Sequence, residues 1–584
     1  MAEPNAPNDW GCASPWRACA RAFPARARGR AFPAVLLVLV AACASHGSAA
    51  GAGSTGTTSG TGAGSGGTSG TASGSTAGTR DAAGASAGTS TGSGSGNASG
   101  GGIGASAGST SGTNGSTGAS GGGGADGGLA GEADGAAPTR TAVCGTSMLA
   151  GPTSPPAGAV TVAPGPSTIQ DAIAAHPAGG ATYYLTAGTY SISSSINPNN
   201  NDTFIGAPGA IIDGASTQPV AFGLNDHAAG VTIKYLTIQH FVGPQNNGIV
   251  NQGQGAGWTL QYTTIQSNPD TNGGANGVML GDDNVVSYNC FTGNGQTGIS
   301  ADGNTGFVVD HNEVSLNADG YEAAHPCGCS GGMKFFTSTK AIVTNNWIHD
   351  NGSVGLWVDT NNSFFLIQDN VIEKNLDEGI MYEISYNAVI DRNIIQSNGI
   401  GGNAQASDFP EPAIYISESG GYDAGAAVML SGVDVNGALL IAGNTFYDNA
   451  DGVVLYQNAD RCCGTQDGCS ATCDTLPLYS EVDAHGNKRW NTQNVTVSNN
   501  GFTYDTDAGC TTQASQHNYC AVTGLFSTAM TIDQALAFGQ NNLFENNVYS
   551  GPWQFLSPDQ GSTLLTPTAW QAAPFNQDRG SVFH

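Results

Sequence analysis

Between Val285 and Asn449 the chain repeats one short pattern of apolar and polar positions. Six segments align without gaps: VVSYNCFTGN, VVDHNEVSLN, IVTNNWIHDN, LIQDNVIEKN, VIDRNIIQSN and LIAGNTFYDN. The first Asn column is Asn289, Asn312, Asn346, Asn370, Asn393 and Asn444, and the second lies five residues later at Asn294, Asn317, Asn351, Asn375, Asn398 and Asn449. A looser copy follows at Asn500. Two places after the first Asn stands one apolar residue: Phe291, Val314, Ile348, Ile372, Ile395 or Phe446. The strand before it alternates, as in Val308/Asp310 or Ile390/Arg392, and a third short strand starts at a small residue (Gly277, Gly298, Gly332, Gly355, Gly379, Ala413, Gly452). Three alternating strands per coil predict a parallel β-helix from about Thr161 to Tyr549. Asn suits the bends because its amide bonds turn backbone, and stacked copies bond one another from rung to rung. The ladders are therefore structural and carry no chemistry.

The N-terminal part reads as a cap. Ser167–His176 has apolar residues at helical spacing and would cover the open core, which a solenoid otherwise exposes together with its strand edges. TYYLTAGTYSI, AIIDG, VTIKYLTI and WTLQYTTI continue the rungs without Asn.

The cap, the Gly-Thr-Tyr strand, the Asn-ladder coils and the C-terminal TPTAWQAAPFNQDRGSVF resemble bacterial right-handed β-helix repeat proteins of the pectin-lyase-like superfamily, from Val160 to His584. The resemblance implies an all-β fold, a right-handed parallel β-helix with a short capping helix. It does not name a reaction, because the superfamily includes polysaccharide lyases, glycoside hydrolases, epimerases and non-catalytic adhesins.

Composition divides the 584 residues into three parts. Residues 1–42 read as an export signal, with five Arg before an apolar run from Ala31 to Ala42 that is too short to span a bilayer. Val40-Ala41-Ala42-Cys43 resembles a lipobox, implying a lipid on Cys43; a secretory signal that happens to contain Cys is the alternative. Residues 44–137, almost all Gly, Ser, Thr and Ala, offer nothing to bury and are expected to form a disordered tether. Residues 138–584 are the β-helix domain. The expectation is an exported monomer at the outer membrane or cell surface, held through its lipid alone, or else secreted. The net charge of −28 excludes nucleic-acid binding through phosphates. Ten Cys follow Cys43, and an even number in an exported chain reads as disulfides.

Insertions indicate where a site belongs. Coil lengths along the first ladder are 23, 34, 24, 23, 51 and 56 residues. The extra residues fall at Asn317–Gly332, Gly399–Pro412, Glu418–Val433 and Gln457–Trp490, flanking the third strand and predicting a walled groove over it. The outward positions of that strand are Ser300 and Asp302, Lys334 and Phe336, Trp357 and Asp359, Met381 and Glu383, Tyr415 and Ser417. In a chain only 10% charged, this gathering of acids, a Lys and a Trp makes Lys334, Asp359 and Glu383 candidate catalytic residues. Trp357, Tyr415 and His325 are candidate substrate contacts, with Glu322 and Tyr321 beside His325; His349 projects from another face.

Two mechanisms fit a polysaccharide substrate. In a lyase, Lys334 takes the C5 proton of a uronate while Asp302, Asp359 and Glu383 hold Ca²⁺, which also lets an acidic protein accept an acidic glycan. In a glycoside hydrolase, Asp359 and Glu383 are acid and base on adjacent rungs. A third possibility is a non-catalytic glycan-binding or adhesion protein.

Overall fold

The structure is a computed structural model. It describes residues 138–584 apart from 224–226, 270–273, 320–329, 401–410, 423–427, 458–490, 506–519, 528–529 and 560–562. The expected export signal, Cys43 and the tether lie outside the described residues, as do His325, Glu322 and Tyr321.

The described chain winds into three stacked sheets of 13, 13 and 11 strands, parallel except for an antiparallel pairing of Gln554–Leu556 with Leu564–Leu565 at the end of the third. One coil contributes a strand to each sheet in turn, as in Ser363–Gln368, Val371–Glu373 and Ile380–Glu383. Inward side chains of all three fill one continuous core, including Ile348, Ile372 and Ile395 from the second sheet. Toward the C-terminus this column turns aromatic, with Phe446, Phe502, Tyr549 and Phe583 stacked at 4.5, 4.7 and 4.9 Å. The helix Thr168–Ala174 buries Ile169 and Ile173 at one end, as the apolar spacing predicts. At the other end Trp570 stacks on Phe555 at 5.1 Å.

Both Asn ladders have the predicted register. Within the ladders a side chain accepts from the Asn of the coil before and donates to the Asn of the coil after: Asn370 Oδ1 takes Asn346 N (2.9 Å) and Nδ2 (3.0 Å), while its own Nδ2 reaches Asn393 Oδ1 at 3.0 Å. The bonds hold turns that the backbone alone disfavours. The residue before each first-ladder Asn has positive φ: Gly443 before Asn444, and before the other five Tyr288, His311, Asn345, Asp369 and Arg392, where an L side chain costs about 1–2 kcal/mol. A third, mixed ladder links Ser338, Asn362, Ser385 and Ser419 after the third strand. Ser replaces Asn there, so the column leaves no uniform mark on the sequence. The recurring Gly has a steric cause: a Cβ on Gly355 would stand 2.6 Å from the Gly379 carbonyl oxygen and 2.7 Å from Asn375 Nδ2.

Two outer faces carry added segments. A strap at residues 138–146 crosses the second sheet. Cys144 is disulfide-bonded to Cys290, Val143 N and Cys144 N donate to Glu313 Oε2 (2.7 and 2.9 Å), and the Arg140 guanidinium grips both oxygens of Glu373 (2.7 and 2.6 Å). A hairpin of Met429–Leu430 and Val433–Asp434 brings Leu430 and Val435 onto Leu366 and Val389 of the first sheet. This corrects the expectation for Glu418–Val433: its described part packs on the first sheet and does not wall the third.

Candidate functional site

The third sheet sets the candidate residues in two rows. Ser300, Lys334, Trp357, Met381 and Tyr415 are register partners in one; Asp302, Phe336, Asp359, Glu383 and Ser417 are partners in the other. The rung alignment read from the ladder spacing is the one the strands adopt. Adjacent rungs lie about 4.8 Å apart, so Lys334 meets Asp359 diagonally and Asp359 stands directly beside Glu383.

The rows are not an open groove. Lys334, Asp359 and Glu383 are each 1% exposed, Trp357 is 0% and Tyr415 5% exposed. Lys334 Nζ lies 3.0 Å from Asp359 Oδ2, 2.9 Å from the centroid of the Trp357 ring and 4.6 Å from that of Phe336. Asp359 Oδ1 accepts from Thr360 Oγ1 at 2.8 Å, and Glu383 Oε2 accepts from Trp357 Nε1 at 3.1 Å. The indole face expected to stack on a sugar is thus occupied by the ammonium group. Farther along the sheet Tyr415, Tyr456 and Phe526 follow one another at 5.9 and 5.5 Å, buried in one cluster with Trp357 and Met381. Tyr456 was legible in the sequence, four places after Gly452.

Asp302 stands apart. It is exposed and accepts a hydrogen bond from Thr337 Oγ1 at 2.9 Å. Among the described residues no three His, Cys, Asp or Glu side chains gather at metal-binding spacing. Calcium takes six to eight oxygens, whereas Asp302 lies at the surface and Asp359 faces an ammonium group. The set Asp302, Asp359 and Glu383 therefore does not fit a resident Ca²⁺.

A second charged cluster, under the strap, was not found by sequence reasoning. Glu373 receives Arg140, Trp347 Nε1 (2.8 Å) and Gln396 Nε2 (2.5 Å). His349 stacks on Trp347 at 3.9 Å, with Nε2 3.5 Å from Glu313 and Nδ1 2.7 Å from Asp350. Burial works to raise the Glu313 and Glu373 pKa values, but the facing His349 ring and the strap amides at Glu313, and the hydrogen bonds from Arg140 and Trp347 at Glu373, leave both below the ordinary value. Burial likewise works to lower His349, and the facing carboxylates of Glu313 and Asp350 override it and raise its pKa. The signal lay in residues 138–146, which have no periodicity.

A third feature runs along the corner between the first and second sheets. Tyr235, Tyr262, Tyr288 and His311, one per rung, stack at 5.2, 5.5 and 4.7 Å, and all are half-buried. Desolvation is the main reason that Tyr235 and Tyr288 are raised in pKa.

Among known proteins, the family model described as a right handed beta helix region matches residues 247–421. Solved structures with a similar winding include the A-module of a mannuronan C-5 epimerase of Azotobacter vinelandii (16% identity, 73% of this chain and 96% of that one, TM-score 0.44). The catalytic unit of an α-1,3-glucanase of Streptomyces thermodiastaticus is similar at 16% identity (74% and 69%, TM-score 0.44). A PL6 family polysaccharide lyase of Pseudopedobacter saltans is similar at 12% identity (73% and 92%, TM-score 0.41). No curated protein matches the sequence. Likeness at such identities concerns the fold alone. Ladder register, three parallel sheets and the matched region together make this chain a right-handed parallel β-helix.

Proposed function

We propose that this chain is an exported, surface-tethered protein that binds polysaccharide without cleaving it. One observation carries the non-catalytic part: the side chains with the required chemistry, Lys334, Asp359 and Glu383, are closed off from solvent and already engaged with one another or with Trp357. An elimination base must present its amine to a proton on a substrate carbon, and the Lys334 amine is enclosed by Asp359 and two aromatic rings. The half-exposed aromatic column at Tyr235, Tyr262, Tyr288 and His311 supports the binding part. It offers one polar-tipped ring edge per rung along which an extended polymer would lie. The net charge of −28 favours an uncharged glycan.

A second reading, hydrolysis by Asp359 and Glu383, is favoured by their register on adjacent strands. Affinity electrophoresis against neutral and acidic glycans, with parallel assays for unsaturated products and for new reducing ends, separates the two. Retardation by a neutral glycan without product, weakened by Tyr262→Ala, is the expected result. Turnover lost in Asp359→Ala would overturn the non-catalytic reading.

A further inference from the structure

A buried ion pair between a primary amine and a carboxylate is also a pair of amide precursors, and here the surroundings favour the condensation. Lys334 and Asp359 sit on neighbouring rungs that the ladders fix in register, with Nζ 3.0 Å from Oδ2. The ion pair holds the amine against the carboxyl group whose Cγ it would attack, so the two groups need no further encounter. Both atoms are shielded from solvent, and their approach is not aligned as a hydrogen bond. Trp357 and Phe336 wall the amine. Burying two charges is costly even when they are paired, and a neutral amide removes that cost. Glu383, the register partner of Asp359, supplies a third titratable group on the same row, with its Oε2 bonded to the indole of the Trp357 that faces the Lys334 amine.

We infer that Lys334 and Asp359 join in an isopeptide bond, an intramolecular cross-link between adjacent coils formed without cofactor or partner. The Lys334 ammonium gives up a proton through Glu383, and Nζ attacks Cγ of Asp359. A C–N bond forms and one C–O bond breaks. The released oxygen leaves as water, taking one proton returned through Glu383 and one from the nitrogen. An ammonium and a carboxylate thus become one amide and one water, with no change of oxidation state. The inference rests on the non-catalytic reading, because the bond consumes two of the three side chains that an enzyme would need.

Mass spectrometry of the purified full-length chain tests this directly. The expected intact mass is lower by one water than the disulfide-corrected value, and digestion should yield a branched peptide joining Lys334 to Asp359. The branched peptide distinguishes the bond from water loss at an Asp-Gly step such as Asp451-Gly452. Lys334→Arg and Asp359→Ala should each restore the full mass, and Glu383→Gln should leave a large unlinked fraction. A wild-type chain of full mass with Lys334 in a linear peptide overturns the cross-link, whether or not the variants fold. If that unlinked chain also turns over no glycan, the cross-link alone fails. Turnover that requires Lys334 overturns the non-catalytic reading as well.

Discussion

Asn370→Ala isolates what one ladder residue contributes. The Asn370 side chain is fully buried: its Oδ1 accepts two hydrogen bonds from Asn346, and its two N–H groups are shared among Val343 O (2.9 Å), Gln368 O (3.1 Å) and Asn393 Oδ1 (3.0 Å). Truncation strands the Asn346 backbone N–H, whose partner is Asn370 Oδ1. An orphaned buried donor costs about 1–3 kcal/mol and each remaining bond about 0.5–1.5 kcal/mol net. Because neighbours relax and the terms are not additive, the expected loss is about 3–5 kcal/mol. Urea titration followed by circular dichroism reads the total. Amide exchange should show the loss concentrated in the coils on either side, since each repeat touches only its neighbours. Gln534→Ala is the control: its amide meets Met530 Sδ at 3.9 Å on the exposed side of a helix, and a change within about 0.5 kcal/mol is expected. A loss below about 1 kcal/mol for Asn370→Ala would refute the view that the ladder stabilises the turns.

Reducing Cys144–Cys290, which closes a sequence separation of 146, should lower stability by about 2–5 kcal/mol and shift the urea midpoint accordingly. Strap docking should depend on pH in both directions. The lowered Glu313 and Glu373 contribute stability above the unfolded carboxylate pKa of about 4.3, and lose it as pH falls through their folded values. The raised His349 contributes fully below about pH 6.5 and loses its contribution as pH rises through its folded value. Protection of residues 138–146 from proteolysis should therefore peak at mildly acidic pH, and His349→Gln should flatten the alkaline side. Gly355→Ala forces a Cβ against the Gly379 carbonyl and should cost about 1–3 kcal/mol by overpacking, visible as a lower thermal midpoint.

The fold was legible because the coil repeats the same physical demands. An inward apolar residue, a bonded Asn at two corners and a Gly under the next coil recur at fixed spacing, and the strand register follows. The burial of Lys334, Asp359 and Trp357 was not legible. Outward alternation says which face a side chain leaves from, not whether solvent reaches that face. Asp302, on the same row as Asp359, is exposed where Asp359 is not. The strap escaped for a related reason: Arg140 and Glu373 are 233 residues apart, and no local pattern records such a pairing.

The ladders also bear on how the protein ages. Asn294, Asn351, Asn398 and Asn500 each precede Gly, the dipeptide in which a flexible backbone nitrogen most readily attacks the side-chain amide to give a succinimide and then Asp. Here the nitrogens of Gly352, Gly399 and Gly501 are committed to carbonyls of the preceding coil, at Asn317, Asn375 and Asn444. The Asn amides themselves are held by their neighbours above and below. The attacking and attacked atoms are therefore kept apart while the coils stay stacked. Deamidation should begin only where a coil opens, which makes isoaspartate a chemical record of where this solenoid frays.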